Sequence, residues 1–275
     1  MGISMVPLLF ALANGVLTPI NANLGSSAPL DQGYRQMYNL EFKGAHTTFK
    51  AYSKEHPDDP LGHTSDGAAY LFDEFNRLGI LQTELFTDDD KFVGRDKPVP
   101  DPNIRQGFYK AIGESQSLAE AALQRNPNDS NALFATVLNL GLQSDYLSMV
   151  EKRDMAALTY AKRAGIAAEK LLALDSSYYD AYLAVGIENY ILGLKPAPVR
   201  WLLRIYGAQT DKEAGVQKLR LTAAKGHYLL PYARLLLAVA ALREEDRKQA
   251  KELLKNLAQE FPNNQLYRRE LMRIQ

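Results

Sequence analysis

The sequence predicts an all-α fold made of helix-turn-helix units, and residues 163–193 show the reason most clearly. Ala164, Ala168 and Leu171 recur at the spacing of one helix face, and Asp175 then begins a polar turn. A second apolar helix follows at once, with small residues on the side that faces the first helix. Because neither helix can bury its apolar stripe alone, we expect such pairs to stack along the chain.

The same periodicity predicts the remaining helices in chain order. Proline, aspartate and asparagine separate them, because proline lacks an amide hydrogen and the other two favour turns and helix N-termini. Two stretches interrupt the spacing, 87–103 and 193–210, and we expect both to be inserts. The predicted helical segments are 30–40, 42–55, 67–81, 104–125, 131–149, 156–174, 179–193, a short helix within 193–210, 212–226, a final pair within 230–262 and a closing helix over 264–275.

Four of the predicted helix pairs end with a similar pattern, which we call a closing. It consists of a small residue, a second small or bulky residue, and then proline or a residue in its place. The closings are Ala45, Phe49 and Pro57; Ala119, Ala122 and Pro127; Ala164, Ala168 and Ser176; and Ala250, Leu254 and Pro262. This pattern resembles the tetratricopeptide repeat, a helix-turn-helix unit that stacks into a solenoid. The resemblance covers roughly residues 30–275 and implies a TPR-like α-α solenoid of about four irregular repeats with two inserts. It implies a binding scaffold but no particular partner.

Composition excludes several classes of function. The chain has 275 residues, of which 46% are hydrophobic and 23% charged, as in an ordinary globular domain, and we expect residues 23–275 to form one domain. The net charge is zero, divided into −6 for residues 1–104 and +6 for residues 105–275. Neither part has the dense basic face of a nucleic-acid-binding protein. Without cysteine there is no disulfide, no thiolate metal ligand and no cysteine nucleophile.

The N-terminus bears on localisation. Residues 5–17 form an uncharged apolar run that is too short to span a bilayer and is followed by polar residues, as in a secretory signal peptide. Ala22 is a small residue at a possible cleavage point, but no basic residue precedes Arg35. Two interpretations follow: residues 1–22 are a signal-peptide remnant of a periplasmic or secreted protein, or they form a buried helix of a cytoplasmic one.

The sequence predicts no catalytic residue, no metal and no cofactor. It contains no nucleotide-binding loop, no GxSxG nucleophile motif and no histidine pair at metal-ligand spacing. The aspartates at 88–90 lack the spacing of a calcium loop, because Phe92 stands where a third oxygen ligand belongs. We therefore expect a protein that is not an enzyme.

The resemblance implies a binding groove along the first helix of each repeat. The predicted groove residues are Phe134, Leu138, Asp180, Leu183, Ile187, Tyr190, Tyr232 and Leu235. Most are apolar, so the lysine and asparagine residues with which family members clamp a peptide carboxylate are missing. The second insert adds Arg200, Trp201 and Arg204, residue types enriched where binding energy concentrates, although Trp201 could equally pack in the core.

An apolar groove must be covered, either by the inserts or by a bound molecule. The first hypothesis is a non-catalytic scaffold that binds a peptide or protein partner in the cell envelope, with no role for nucleic acid or stable membrane insertion. The alternative is an extracytoplasmic repeat protein that binds a small molecule or lipid in association with solute transport. An enclosed cavity of roughly several hundred Å³ would favour a ligand, and an open trough would favour a peptide.

Overall fold

The computed structural model of the chain describes residues 29–80, 96–193 and 211–274, and of residues 191–193 it describes the backbone alone. The predicted signal-peptide remnant and most of both predicted inserts lie outside these ranges. The described residues contain eleven α-helices, one π-helical turn (Tyr146–Val150) and one 3₁₀ turn (Tyr179–Ala181), and no strand. The helices are α1 (Pro29–Tyr38), α2 (Phe42–Glu55), α3 (Pro60–Arg77), α4 (Pro102–Arg125), α5 (Ser130–Asp145), α6 (Asp154–Leu174), α7 (Tyr182–Gly193), α8 (Lys212–Lys225), α9 (Leu230–Arg243), α10 (Arg247–Glu260) and α11 (Gln265–Arg273).

Each helix packs against the next helix along the chain, which confirms the all-α prediction and gives an α solenoid. The pairs are α1 with α2, α3 with α4, α5 with α6, α7 with α8 and α9 with α10, and α11 covers the end. The described part of the chain therefore has five pairs, where the sequence predicted about four. The additional pair is α7 with α8, which ends at Gly226 without a proline closing.

The four predicted closings adopt one turn geometry. In each, the amide of the fourth residue donates to the carbonyl of the first, a reversal that suits proline at the second position because its φ is already fixed. The N to O distances are 3.1 Å from Asp59 to His56, 3.0 Å from Asp129 to Asn126, 3.1 Å from Tyr178 to Asp175 and 3.1 Å from Asn264 to Phe261. Each turn reverses the chain between two antiparallel helices.

Two helices begin earlier than predicted because an aspartate followed by proline starts each of them. Asp59 accepts a hydrogen bond from the Leu61 amide at 2.9 Å, and Pro60 is the first residue of α3. The predicted start of this helix at residue 67 therefore lies inside α3. Likewise Asp101 caps α4 and Pro102 opens it, so the first insert ends before residue 102 rather than at 103. Aspartate followed by proline is a strong helix start, because its side chain satisfies the first amides and proline tolerates the first turn.

The helices form two layers, which we call inner (α1, α3, α5, α7 and α9) and outer (α2, α4, α6, α8 and α10). An outer helix buries one stripe, as α2 does with Phe42, Ala45 and Phe49. The inner helix α3 instead buries residues around much of its circumference. The difference arises because an inner helix packs against outer helices on one side and faces the centre of the solenoid on the other.

The solenoid closes on itself through α1. The Tyr34 ring stacks on the Tyr228 ring at 4.6 Å between centroids, and the Tyr38 hydroxyl donates to the Tyr228 carbonyl at 2.9 Å. Asn264 donates its side-chain amide to the Tyr38 carbonyl at 2.8 Å. These contacts join the first helix to segments about 190 and 226 residues later, so the two ends of the solenoid meet around its centre.

Candidate ligand cavity

A cavity of about 90 Å³ lies where the inner helices converge. Every inner helix contributes to its wall, and most of the wall is apolar or aromatic. The lining residues are Tyr34, Met37 and Tyr38 of α1; Ala68 and Phe72 of α3; Val137, Leu138, Gly141, Leu142, Ser144 and Asp145 of α5; Ala161 and Ala164 of α6; Asp180, Leu183, Ala184, Ile187 and Glu188 at and after the 3₁₀ turn; and Leu229 and Tyr232 at α9. The cavity is thus a product of the whole solenoid rather than of one repeat.

Aromatic rings form one side of the cavity. The Phe72 ring meets the Tyr232 ring edge to face at 5.4 Å, and the Tyr38 ring edge to face at 6.1 Å. Such pairs hold their geometry because the positive edge of one ring faces the negative face of the other. The rings therefore form a preformed wall, in which α1 is joined to α3 and α3 to α9.

Asp145 places a carboxyl group in this apolar surrounding. It stands at the end of α5, and the hydroxyl of Tyr232 hydrogen-bonds to its carboxyl. Burial raises the pKa of Asp145 to about 7, and the hydrogen bond from Tyr232 opposes the rise only in part. Near neutral pH this group is therefore poised between its neutral and ionised forms.

Asp180 lines the same cavity but already has donors for both of its carboxylate oxygens. Oδ1 accepts from the amides of His227 at 2.8 Å and Leu229 at 3.2 Å, and Oδ2 accepts from the amide of Tyr228 at 3.0 Å. Gly226 permits this approach, since a Cβ there would lie 2.6 Å from Asp180 Oδ1. Burial raises the pKa of Asp180, and the three amides oppose the rise. Asp180 therefore fixes the start of α9 to the start of α7.

Glu188 is the third carboxyl group of the lining, and it is half-buried. Burial raises its pKa, the charge of Glu169 adds to the rise, and Lys162 and Lys218 oppose it. Because two lysines act on Glu188, its charge belongs partly to the network around α6 and α8. The lining of the described residues includes no lysine, arginine or histidine.

The structure brings together some of the predicted groove residues and separates others. Leu138, Asp180, Leu183, Ile187 and Tyr232 all line the cavity. Phe134 is instead fully buried against the rings of Tyr178 and Tyr228, and Tyr190 is buried where α7 meets α8. Leu235 lines a smaller recess beside α11. The predicted residues Arg200, Trp201 and Arg204 lie outside the described residues.

Sequence reasoning missed Asp145 and the tyrosines of α1. Asp145 follows Leu138 by seven residues, two helical turns along the same face of α5, so a charged residue on an apolar stripe was the available signal. Tyr34 and Tyr38 carried no comparable signal. Their place in the cavity depends on contacts with residues such as Tyr228, which local periodicity does not report.

The observed cavity lies between the two outcomes that the sequence analysis distinguished. It is smaller than several hundred Å³, yet the inner face is not an open trough, because α1 lies against it and contacts the C-terminal turns. A peptide lying along that face would have to displace α1.

Other polar clusters of the described residues are small. His46 Nδ1 lies 2.6 Å from Asp66 Oδ1, and His227 Nε2 lies 2.6 Å from Asp31 Oδ1. Within the described ranges, no three His, Asp or Glu side chains converge as metal ligands.

Comparison with protein-family models, curated proteins and solved structures found no match for this chain. Among the helices that the structure describes, none is both long and apolar enough to cross a membrane. The geometry of the cavity is therefore the basis for assigning a function.

Proposed function

We propose that this chain is a non-catalytic binding protein that holds a small, mostly apolar ligand in its central cavity. The observation that carries the proposal is that all five inner helices line one apolar cavity, which α1 covers. Ligand sites are typically concave and mostly apolar, with a few polar groups that fix orientation. The lining meets this description, with Asp145 and Tyr232 as the polar pair.

The size of the cavity limits the ligand. Its volume of about 90 Å³ falls between the roughly 30 Å³ share of one water molecule and the roughly 150 Å³ of a cavity that binds benzene. A ligand whose apolar part has roughly four carbon atoms matches this volume. A whole lipid does not fit it, so the small-molecule form of the alternative hypothesis is the better supported one.

Two groups support the non-catalytic part of the proposal. Ser144, the one serine of the described lining, already donates to the Ala157 carbonyl at 2.9 Å. Asp145 has no histidine beside it in the described lining, and its hydrogen-bond partner there is the Tyr232 hydroxyl rather than Ser144. A peptide or protein partner remains a second prediction from the repeat resemblance, but the position of α1 disfavours the inner face as its site.

Export to the cell envelope and the tetratricopeptide relationship are also proposals. They are supported by the apolar run 5–17 and by the four repeat closings of the sequence. Sequencing the N-terminus of the mature protein tests the first of them: a start near residue 23 supports export, and an intact Met1 contradicts it.

Two glycines provide a direct test of ligand binding. Gly141 lies on the cavity wall and Gly113 on the exposed side of α4; both are in helix interiors, and a Cβ at either would meet nothing within 4 Å. A leucine at 141 would therefore project into the cavity, and a leucine at 113 into solvent. Both substitutions also remove a helix-interior glycine, so they match in their effect on helix propensity.

The experiment titrates the full chain with benzene, n-butanol, n-butylammonium and n-butyrate, and follows binding by calorimetry and NMR shifts. We expect at least one probe to bind the wild type and Gly113→Leu but not Gly141→Leu. At ten times its Kd that probe should stabilise the wild type by ~1.4 kcal/mol. If none of the four binds, or if Gly141→Leu binds them as the wild type does, the cavity is not a ligand site.

A further inference from the structure

We propose that the ligand of the central cavity carries a positive charge, as a small primary ammonium on an apolar body, and that Asp145 is its counter-ion. This inference rests on the proposed function and specifies the class of ligand. Aromatic rings of Phe72, Tyr38 and Tyr232 border the same space and would face the ammonium group.

The charges of the cavity wall favour a cationic ligand. Three carboxyl groups line it, those of Asp145, Asp180 and Glu188, and no basic side chain of the described residues does. An anionic ligand would be repelled by all three. A cation is the one charge class that this wall attracts, and tyrosine and phenylalanine faces attract it further through their ring quadrupoles.

Asp145 differs from the other two carboxyl groups of the lining in its partners. Asp180 is already bonded to three backbone amides, and Glu188 is influenced by Lys162 and Lys218. Asp145 has the Tyr232 hydroxyl as its hydrogen-bond partner, and no cation among the described residues acts on it. A buried carboxyl group without a cation either remains protonated or takes its partner from outside the chain. An ammonium ligand supplies that partner together with a donor hydrogen.

Binding of an ammonium ligand should be linked to the release of a proton from Asp145. Because burial raises the pKa of Asp145 to about 7, this group is partly protonated at neutral pH. An ammonium ligand binds the ionised form, so binding releases a proton and strengthens as the pH rises through 7. The other titratable groups among the described lining residues are Tyr34 and Tyr38 from α1, Asp180 and Glu188 from the α7 segment and Tyr232 from α9. From α3 and α6 the described lining contains Ala68, Phe72, Ala161 and Ala164, none of which titrates.

The size of the pH effect follows from that linkage. With the pKa at about 7, affinity for an ammonium should fall about 30-fold between pH 8 and pH 5.5. An alkylammonium itself stays charged over this range, since its pKa is about 10.4. A neutral probe such as n-butanol should not follow the same curve.

The test compares three probes of equal body, n-butylammonium, n-butanol and n-butyrate, by calorimetry on the full chain at several pH values. We expect n-butylammonium to bind roughly tenfold or more tighter than n-butanol at pH 8, and n-butyrate to bind weakest. Asp145→Asn should retain n-butanol but lose both the ammonium preference and the pH dependence. The control Glu188→Gln should keep most of the preference.

The outcomes separate this inference from the proposed function. If n-butanol binds the wild type as tightly as n-butylammonium, with a flat pH profile, the charge assignment fails and the apolar ligand site remains. If Asp145→Asn keeps the full ammonium preference, Asp145 is not the counter-ion. If none of these three probes binds and benzene does not bind either, the proposed function itself fails. The wild-type pH profile decides the question even if Asp145→Asn does not fold.

Discussion

Asp180 and Asp145 line the same cavity, but they differ in burial and in the number of hydrogen-bond donors around them. Asp180 is almost fully buried, and three backbone amides from the turn before α9 donate to it. Asp145 lines the same cavity, is half-buried, and has one tyrosine hydroxyl as its partner. Backbone amides satisfy the first carboxylate, whereas no lysine, arginine or histidine of the described lining accompanies the second.

This difference shows how a buried charged group can be assigned a role. Burying a carboxylate is costly unless hydrogen bonds or a counter-ion replace the lost water. Where the fold supplies those bonds, as at Asp180, the group stabilises structure. Where the described residues supply one hydroxyl, as at Asp145, we propose that a ligand completes the site. The following substitutions test that contrast, from the largest expected effect to the smallest.

Replacing Asp180 should give the largest loss of stability. Asp180→Ala leaves the amides of residues 227–229 without their acceptor and detaches α9 from α7, so we expect the free energy of unfolding to fall by roughly 3 to 6 kcal/mol. Urea denaturation at pH 7 measures it. Asp175→Ala is a nearby control, because Asp175 is exposed and bonds only within its own turn to Ser177. A loss at position 180 no larger than at 175 would contradict the structural role.

Replacing Asp145 should raise the free energy of unfolding at high pH, whereas replacing Asp180 should lower it. Because folding raises the pKa of this carboxyl group from its usual value near 4 to about 7, its contribution to stability is fully present below pH 4 and is lost as the pH rises through 7. Asp145→Asn cannot ionise. We therefore expect it to be more stable than the wild type by roughly 2 to 4 kcal/mol at pH 8, with little difference at pH 4.

Denaturation curves at both pH values provide the measurement for Asp145→Asn. Asp129→Asn, at the other end of α5, is the matched control, since asparagine caps a helix about as well as aspartate. An equal stability of Asp145→Asn and wild type at pH 8 would mean that the Asp145 carboxyl group is well hydrated in the folded chain. That result would also remove the proton linkage proposed for ligand binding.

Local sequence signals were sufficient to predict the all-α class and most helix boundaries. The closings at Pro57, Pro127, Ser176 and Pro262 became four turns of one geometry, because proline and short polar side chains act within a few residues of themselves. The predicted starts of α3 and α4 were too late, although the aspartate-proline signal for starts at Pro60 and Pro102 was present in the sequence.

The cavity could be predicted only in part. Repeat geometry identified the face that carries Leu138, Leu183 and Ile187, because that face follows from helical periodicity. It could not show that α1 closes this face, since the contacts of Tyr34 and Tyr38 with Tyr228 span about 190 residues. The volume left between five helices depends on such distant contacts, and no local pattern contains it.

The smallest predicted effects are those of substitutions at two glycines, Gly141 and Gly113. Gly141→Ala and Gly113→Ala each replace a helix-interior glycine where the added methyl group meets no atom within 4 Å, so both should raise the free energy of unfolding by about 0.5 to 1 kcal/mol. Thermal and urea denaturation measure these gains. Because the methyl group at 141 enters the cavity and the one at 113 enters solvent, only Gly141→Ala should weaken the binding of n-butylammonium. Equal binding by the two variants, together with equal stability gains, would show that the wall around Gly141 does not contact the ligand.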